Sequence, residues 1–213
     1  MDFNLVKKYI SNPTDILDIG ANTGGFFRSI KRVWPNANVL SIEANLYCEP
    51  TLKQVNPNYM MCVLDSEPRY RAFFLNRDCL LSTGSSLYKE LTPHFNFDST
   101  KCVKAKTETL DNILPYHKFD IVKLDTQGSE LDIMIGGKKL MKRCKAAIIE
   151  VSHKPYNLNA PLSHTIVNYM LDNNFLLKET LATNGATHQS DYLFINEWWY
   201  DIYEQYWGDD ENI

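Results

Sequence analysis

At 213 residues the chain has the length of one domain, and its hydrophobic fraction of 44% and charged fraction of 23% are those of an ordinary globular protein. These values exclude intrinsic disorder, a collagen-like repeat and a coiled coil. The formal net charge of -4 at pH 7 provides no overall basic field for a phosphate backbone, so the composition disfavours nucleic acid as a partner.

Five cysteines are scattered along the chain without a CxxC pair or a Cys/His cluster, which is typical of reduced thiols in a cytosolic protein. The apolar stretches are no longer than a strand, and the N-terminus lacks the continuous apolar segment of a signal peptide. We therefore expect no membrane association and a cytoplasmic location, or the host cytoplasm if the source is a virus.

Strands and helices alternate along the sequence. The hydrophobic periodicity predicts, in chain order, a helix at 2–11, a strand at 15–19, a helix at 26–33, a strand at 38–42, a helix at 47–55, strands at 59–64, 70–75 and 102–107, a helical turn at 110–114, a strand at 119–124, a helix at 130–140, a strand at 146–151, a helix at 163–171 capped by Ser163, and strands at 175–181 and 192–195. The pattern is lost between 76 and 99, where so long a loop is usually functional or mobile.

This alternation, with several strands apolar on both sides, is typical of a doubly wound α/β fold, in which a mostly parallel sheet carries helices on both faces. We expect a single domain over 1–213, with its core at 14–196, the N-terminal helix at 2–11 and an aromatic tail at 197–213. In such folds the ligand binds beyond the carboxyl ends of the strands, where the strand order reverses.

The first strand ends in a glycine turn, DIGANTGG at 18–25, that leads into a helix whose free N–H groups face this crevice. The turn matches neither G-x-G-x-x-G nor Walker A, so it does not predict a pyrophosphate site. Glu43 ends the second strand, 23 residues after Gly20, where a carboxylate can accept both hydrogens of a ribose diol. Together these features favour an adenosyl ligand over the alternatives, a tight turn without a ligand and a solvated strand end.

Six segments occur in the order found in FkbM-type methyltransferases, which the chain resembles over roughly residues 14–196. They are DIGANTGGF at 18–26, SIEAN at 41–45, TLD at 109–111, IVKLDTQGSE at 121–130, IIEV at 148–151 and DYLFIN at 191–196. KLDTQGSE is the most diagnostic of them. The resemblance implies a seven-stranded, Rossmann-like methyltransferase sheet with one antiparallel strand, S-adenosylmethionine as cofactor, and methyl transfer to a hydroxyl group, commonly of a sugar or a natural product.

The resemblance also implies a cofactor site. Carried over by position, this site consists of Asp18, Gly20, Ala21, Asn22, Gly24, Glu43, Ala44, Asp65, Ser85 and Asp125. The residues of the glycine turn would hold the methionine portion, Glu43 the ribose, and Asp65 would lie near the adenine. Ser85 belongs to a serine-rich segment at 82–86 whose hydroxyls would contact the cofactor or the acceptor, or form only a flexible polar loop.

An O-methyltransferase must position the acceptor oxygen and help to remove its proton. Asp125 closes a buried strand and is the first candidate for the acceptor-facing carboxylate, or for a contact to the cofactor's amino group. Glu150, at the end of the next strand, is the second. Lys123 lies two residues before Asp125 on the same side of the strand and is expected to pair with it. If the two acids converge, they would share a proton or hold a divalent cation, although the sequence requires no metal.

Structural roles are the alternatives for these residues. Asp125 or Ser129 would cap the following helix, and Glu130 would complement the positive end of that helix. Lys123 would form a salt bridge beneath the site, and Glu150 would be a buried acid with a structural partner.

Two further groups are candidates for the acceptor side or for contacts between subunits. His153 and Tyr156 follow the Glu150 strand in a turn and would line an acceptor site. Helical spacing places aromatic side chains of the tail on one face, which predicts docking on the domain or a homo-oligomer, with a sugar-stacking platform as the alternative. These side chains are Trp199, Tyr203, Tyr206 and Trp207.

The expected acceptor is a hydroxyl-bearing small molecule or glycan. Other functions stay open. A cap-type RNA 2′-O-methyltransferase would need a Lys-Asp-Lys-Glu set, for which Lys8, Asp125, Lys154 and Glu179 are available. A metal-dependent catechol-type enzyme would place acids after the same two strands. The non-enzymatic alternative is a catalytically dead S-adenosylmethionine-binding module, against which the intact glycines and carboxylates argue.

Overall fold

The computed structural model describes residues 1–199. Its ten strands are β1 (Asp15–Ile19), β2 (Asn38–Glu43), β3 (Tyr59–Met61), β4 (Val63–Leu64), β5 (Tyr70–Asn76), β6 (Thr100–Glu108), β7 (Ile121–Leu124), β8 (Ala146–Ser152), β9 (Phe175–Asn184) and β10 (Gln189–Asn196). Its helices are α1 (Phe3–Lys7), α2 (Gly25–Val33), α3 (Glu49–Val55), α4 (Leu110–Ile113), α5 (Glu130–Gly136), α6 (Lys138–Met141) and α7 (Ser163–Asp172).

Seven strands form the central sheet in the order β3-β2-β1-β7-β8-β10-β9. Neighbouring strands from β3 to β8 are parallel, whereas β10 runs antiparallel to both β8 and β9. The predicted doubly wound α/β fold, with seven strands of which one is antiparallel, is therefore confirmed.

The central strands are buried on both faces because their side chains alternate between two hydrophobic clusters. Ile16 and Ile121 pack on one face with Ile30 of α2, and Leu17 and Val122 pack on the other face with residues of α5 and α7. This explains why these strands are continuous apolar runs in the sequence. In the described part of the chain, no helix is long and apolar enough to cross a bilayer.

The prediction of one strand at 59–64 is wrong, because the chain changes sheets at Cys62. The Cys62 N–H donates to the Glu43 carbonyl oxygen, which ends the pairing of β3 with β2. After it, β4 pairs with β6 in a separate three-stranded sheet of order β4-β6-β5. Val63, Leu64 and Phe73 of this small sheet line the site described below.

Other boundaries also differ from the predictions. The predicted helix at 130–140 is divided into α5 and α6 at Gly136 and Gly137, and a Cβ on Gly136 would lie 2.2 Å from the Asp65 carbonyl oxygen. The N-terminal helix is limited to Phe3–Lys7, and Leu162 takes the cap position of α7 that was predicted for Ser163. Single bridges join Phe74 to Ser86 and Glu90 to Asn157, so the 76–99 segment is tied to β5 and to the loop after β8.

Candidate active site

A cleft of about 340 Å³ opens at the carboxyl ends of β1, β2 and β7, where the strand order reverses between β1 and β7. Small-molecule pockets of doubly wound folds lie at this position and have volumes of roughly 300–1,000 Å³. The predicted cofactor residues that line it are Gly20, Ala21, Asn22, Glu43, Ala44, Ser85 and Asp125.

The glycine turn has its shape because two of its residues need a left-handed backbone. Gly20 has φ +82°, and a Cβ there would lie 1.9 Å from the Asp125 carbonyl oxygen, so only glycine fits. Gly24 has φ +83° and packs against Val55 of α3. Gly24 is not among the residues that line the cleft, and its predicted contact with the methionine portion of the cofactor stays a prediction.

Three backbone N–H groups hold the Glu43 carboxylate at the edge of the cleft. Asn22 donates to Oε2 at 2.6 Å, and Ala44 and Asn45 donate to Oε1 at 2.9 and 2.7 Å. Because a carboxylate has about four acceptor positions and three are occupied, Glu43 keeps about one for a ribose hydroxyl. Burial raises the pKa of Glu43, and the three N–H groups oppose that shift.

Lys123 is 5% exposed and lies among acidic side chains. Its ammonium donates to Asp125 Oδ2 at 2.8 Å, as predicted, and Asp18 lies opposite it on β1. Burial alone would lower the pKa of Lys123, but Asp125 and Asp18 outweigh burial and raise it. The Lys123 ammonium also lies 5.2 Å from the centre of the Phe26 ring, which is a cation–π contact.

Asp18 is fully buried beneath the glycine turn and does not line the cleft. Neither of its carboxylate oxygens has a hydrogen-bond partner among the described residues, and burial raises its pKa to about 6. Asp18 therefore places a negative charge beneath the floor of the cleft, whereas the resemblance implied a direct contact with the methionine portion.

The side chains of Asp125 and Glu150 converge, as a shared proton or a bound divalent cation would require. Gln127 Nε2 donates to Asp125 Oδ1 at 3.1 Å and to Glu150 Oε2 at 2.5 Å. Burial and then the charge of Asp125 raise the pKa of Glu150 to about 9. Burial would also raise the pKa of Asp125, but the Lys123 ammonium holds that pKa below its usual value. Burial therefore favours the neutral form of Glu150, and Lys123 favours the ionised form of Asp125.

Of the two acids, only Asp125 lines the cleft, with a side chain that is 31% exposed. Among residues 1–199, no group of three or more His, Cys, Asp or Glu side chains is arranged to hold a metal ion. The cation beside Asp125 is Lys123, and amide groups contact Glu150, so this donor set fits a shared proton better than a divalent cation.

Asp65 is not in the cleft, where the resemblance placed it near an adenine. Its buried carboxylate is held by Arg69 Nε at 2.8 Å and by Arg71 Nη1 at 3.2 Å, which keep its pKa low although burial opposes this. The part of the cleft lining that lies near β3 and the small sheet is mostly apolar. It consists of Ile42, Cys62, Val63, Leu64, Phe73, Leu87 and Ile133.

The serine-rich segment lines the cleft through Ser82, Thr83, Ser85 and Ser86. Asn45 Nδ2 lies 3.3 Å from Ser85 Oγ, and Asn22 Nδ2 donates to the Leu81 carbonyl oxygen at 3.3 Å. Ser86 Oγ lies 2.9 Å from the carbonyl oxygens of Thr126 and Gln127. These contacts connect the segment to the ends of β1, β2 and β7, so it is a built part of the cleft.

Glu130 has a structural role at the start of α5. Its carboxylate accepts hydrogen bonds from the N–H groups of Thr126 at 2.7 Å and Gly128 at 2.9 Å. Ser129 takes the cap position without a capping side-chain bond, and the Asp125 side chain bonds Lys123 and Gln127 and does not cap the helix.

Several predicted candidates lie outside the cleft. His153 contacts Ser163 and Ser190, and Tyr156, whose pKa burial and Glu90 raise to about 12, does not line the cleft either. The cap-type set is not assembled around Asp125, because Lys8 pairs with Glu179 at 3.3 Å and Lys154 lies beside His188. Of the predicted aromatic face, only Trp199 is within the described residues, and the Lys145 ammonium lies over its ring.

The sequence interpretation missed two glutamines. Gln127 bridges Asp125 and Glu150, and Gln189 Nε2 donates to Glu150 Oε2 at 3.1 Å. Gln127 lies inside the KLDTQGSE segment, so its place next to Asp125 was the available signal. The sequence held no such signal for Gln189, because its contact with Glu150 depends on the pairing of β10 with β8.

Comparison with known proteins identifies the family and the fold. Residues 18–177 match the model of the Methyltransferase FkbM domain, and a search of curated proteins found no match. Three solved structures are similar in fold. The magnesium protoporphyrin IX methyltransferase ChlM of Synechocystis PCC 6803, with bound SAM, is 13% identical, with a TM-score of 0.51 over 90% of this chain and 74% of that chain.

The fibrillarin pre-rRNA processing protein of Methanococcus jannaschii is 13% identical, with a TM-score of 0.52 over 86% of this chain and 66% of that chain. The ribosomal protein L11 methylase of Lactobacillus delbrueckii subsp. bulgaricus is 10% identical, with a TM-score of 0.50 over 92% of this chain and 76% of that chain. At such low identities these similarities show the fold alone.

Proposed function

Because the chain belongs to the FkbM methyltransferase family, we propose that this S-adenosylmethionine-dependent methyltransferase methylates a hydroxyl oxygen of a sugar, a glycan or a small natural-product-like acceptor. The observation that carries the proposal is the partly exposed Asp125 carboxylate, which lines the cleft and is kept ionised by Lys123. An ionised carboxylate accepts a hydrogen bond from an acceptor hydroxyl, the group that O-methylation requires.

The residues of the cleft fit S-adenosylmethionine. Gly20 lets the end of β1 approach the Asp125 carbonyl closely at the floor of the cleft, and Glu43 keeps about one acceptor position for a ribose hydroxyl. The apolar wall around Leu64 suits an adenine ring, and the buried Asp18 places negative charge near a positively charged cofactor. When bound, the cofactor supplies an electrophilic methyl group on its sulfonium sulfur.

Asp125 has two tasks in this proposal. It first orients the acceptor by accepting the hydrogen bond of the hydroxyl, which is the positioning that an in-line displacement requires. As the new O–C bond forms, the acceptor oxygen becomes strongly acidic, so even a carboxylate of lowered pKa can take its proton. Lys123 keeps Asp125 anionic until that moment.

The polar part of the cleft supports a hydroxylated acceptor. Asn22, Thr23, Ser82, Thr83 and Thr126 provide hydroxyl and amide groups that can exchange hydrogen bonds with a polyol. Among the residues that line the cleft, Lys123 is the only basic one, and it is paired with Asp125. Capped RNA would require a basic channel, so we rank sugar-like acceptors above RNA.

A methyl-transfer screen tests the proposal. The protein is incubated with S-adenosylmethionine and glycans, small phenols, nucleosides and cap oligonucleotides, and the products are weighed by mass spectrometry. Methylation of hydroxylated small molecules or glycans supports the proposal. Methylation of the cap oligonucleotides alone would contradict the choice of acceptor.

Replacing Glu43 by alanine is expected to weaken S-adenosylmethionine binding at least about tenfold, because hydrogen bonds to a charged group are worth roughly 1.5–3 kcal/mol. Isothermal titration calorimetry measures the change. Glu49→Ala is the matched control, since Glu49 also follows β2 but accepts its hydrogen bond from Tyr59, outside the cleft. Equal affinities of the two variants would show that Glu43 does not hold the cofactor.

The cellular setting is part of the proposal. The five scattered thiols support a cytoplasmic location, or a location in the host cytoplasm if the source is a virus. Association of subunits through the aromatic tail stays a prediction, because most of that tail lies beyond the described residues.

A further inference from the structure

Two glutamine side chains meet at one oxygen of Glu150. Gln127 Nε2 lies 2.5 Å from Glu150 Oε2, and Gln189 Nε2 lies 3.1 Å from the same atom. The second contact of Gln127 Nε2 is Asp125 Oδ1, at 3.1 Å. Because these acceptors are carboxyl oxygens, each carboxamide must present its NH₂ group and not its oxygen. Both amides therefore engage Oε2, and neither engages Oε1.

The position of the shared proton follows from this arrangement. Glu150 lies on β8 next to the end of β7, and Lys123 donates to Asp125 and not to Glu150. Two ionised carboxylates this close repel each other, so one of them keeps a proton. Since Oε2 of Glu150 accepts from two amides, Oε1 is the oxygen left to carry this proton, and a hydrogen bond from the Glu150 side chain is one of the causes that lower the pKa of Asp125.

The loop that carries Gln127 is held by contacts on both sides. Gln127 has φ +56° and Gly128 φ +107°, a left-handed pair that is unfavourable for glutamine. Ser86 Oγ contacts the carbonyl oxygens of Thr126 and Gln127, and the Glu130 carboxylate binds the N–H groups of Thr126 and Gly128. Strained residues held so firmly are typical of functional sites.

The geometry points to Gln127 as a positioning residue that fixes a neutral Glu150 as a hydrogen-bond donor to Asp125. Its effect on methyl transfer rests on the proposed function, whereas the protonation of Glu150 does not. Burial keeps Glu150 neutral and Lys123 keeps Asp125 ionised, so the member of this acid pair that lines the cleft is the anionic one. Gln127 acts through Asp125 and does not itself line the cleft.

The groups that face Glu150 support a neutral acid. Asp125, Glu130 and Asp191 are acidic, Lys123 is the one cation among its described neighbours, and the Tyr156 phenol also lies near. Burial, Asp125 and Glu130 raise the pKa of Glu150 from 4.5 to about 9. The folded protein therefore binds this proton more tightly than the unfolded chain does. The stability contributed by neutral Glu150 is complete below pH 4.5 and is lost as the pH rises to about 9.

Infrared spectroscopy of the cofactor-free protein tests the protonation state. We expect a carboxylic acid band at pH 7 that Glu150→Gln lacks and that the unmodified protein loses as the pH passes about 9. Glu150→Gln imitates the neutral acid, because its oxygen can accept from both amides while its NH₂ group donates to Asp125. Its unfolding free energy should therefore fall less between pH 5 and pH 9 than that of the unmodified protein. Identical spectra of the two proteins at pH 7 would overturn the inference.

Gln127→Met and Gln189→Met form a matched pair, since each removes one amide donor from Glu150 Oε2 and keeps the volume. Both should move the loss of the infrared band to higher pH, because the ionised acid loses a donor. Only Gln127→Met also removes a hydrogen-bond donor from Asp125. We expect this variant to lower kcat about tenfold, because that is the effect of losing one hydrogen bond to a charged group. Gln189→Met should lower kcat clearly less.

Equal decreases in kcat for the two variants would contradict the positioning role of Gln127. Gln127→Gly, which suits the left-handed backbone, provides the same comparison if Gln127→Met does not fold. If no hydroxyl acceptor is ever methylated, the proposed function fails, and the infrared spectra still decide whether Glu150 is neutral.

Discussion

Asp125→Asn is expected to lower kcat by about 10²- to 10⁴-fold, the range that a lost general acid–base group typically costs. Asparagine has nearly the same shape as aspartate, but it is neutral and cannot take the proton of the acceptor hydroxyl. The affinity for S-adenosylmethionine should change far less, because Glu43 and the glycine turn keep their contacts. Steady-state kinetics and calorimetry on the same preparations separate the two effects.

Asp191→Asn is the matched control for this variant. Asp191 is another carboxylate near Lys123 and Glu150, but it does not line the cleft. Removing its charge alters the field around Lys123 without removing the acceptor-facing group, so kcat should decrease much less. If both variants lost activity equally, the charge balance around Lys123 would explain the loss, and Asp125 would have no specific part in the reaction.

Gly20→Ala is expected to cost about 2–5 kcal/mol of folding stability and to abolish measurable cofactor binding, since the left-handed backbone costs roughly 1–2 kcal/mol and the steric overlap roughly 1–3 kcal/mol. The added Cβ would lie 1.9 Å from the Asp125 carbonyl oxygen, so β1 and β7 would have to separate at the floor of the cleft. Chemical denaturation and calorimetry measure the two losses.

Gly185→Ala is the control for the glycine turn. A Cβ on Gly185 meets no atom within 4 Å, and its backbone is not left-handed. We expect a change in stability within about 0.5 kcal/mol, as for ordinary surface substitutions. A Gly20→Ala protein as stable as Gly185→Ala, with unchanged cofactor affinity, would contradict the close approach of the two strand ends.

The features that the sequence predicted well depend on local spacing. Strand period 2 places Lys123 and Asp125 on one side of β7, and their salt bridge follows from that. The glycine turn and Glu43 each end a buried strand, and parallel strands bring such ends to one edge of the sheet. Their meeting in the cleft therefore needed only the fold class.

The features that the sequence could not predict depend on contacts between distant segments. Asp65 follows the third predicted strand as a cofactor-binding acid would, but Arg69 and Arg71 neutralise it in the small sheet. Nothing local indicates that the chain leaves the central sheet at Cys62. The contact of Gln189 with Glu150 likewise requires the register of β10 against β8, which hydrophobic periodicity does not determine.

The most direct test of the central claim is to identify the atom that receives the methyl group. The protein is supplied with S-adenosylmethionine labelled with ¹³C in its methyl group and with the hydroxylated acceptors of the screen, and the products are examined by NMR. The proposal predicts a labelled methoxy carbon on a sugar-like or phenolic oxygen, and a much slower appearance of that signal with Asp125→Asn. A label found only on nitrogen or carbon would contradict it.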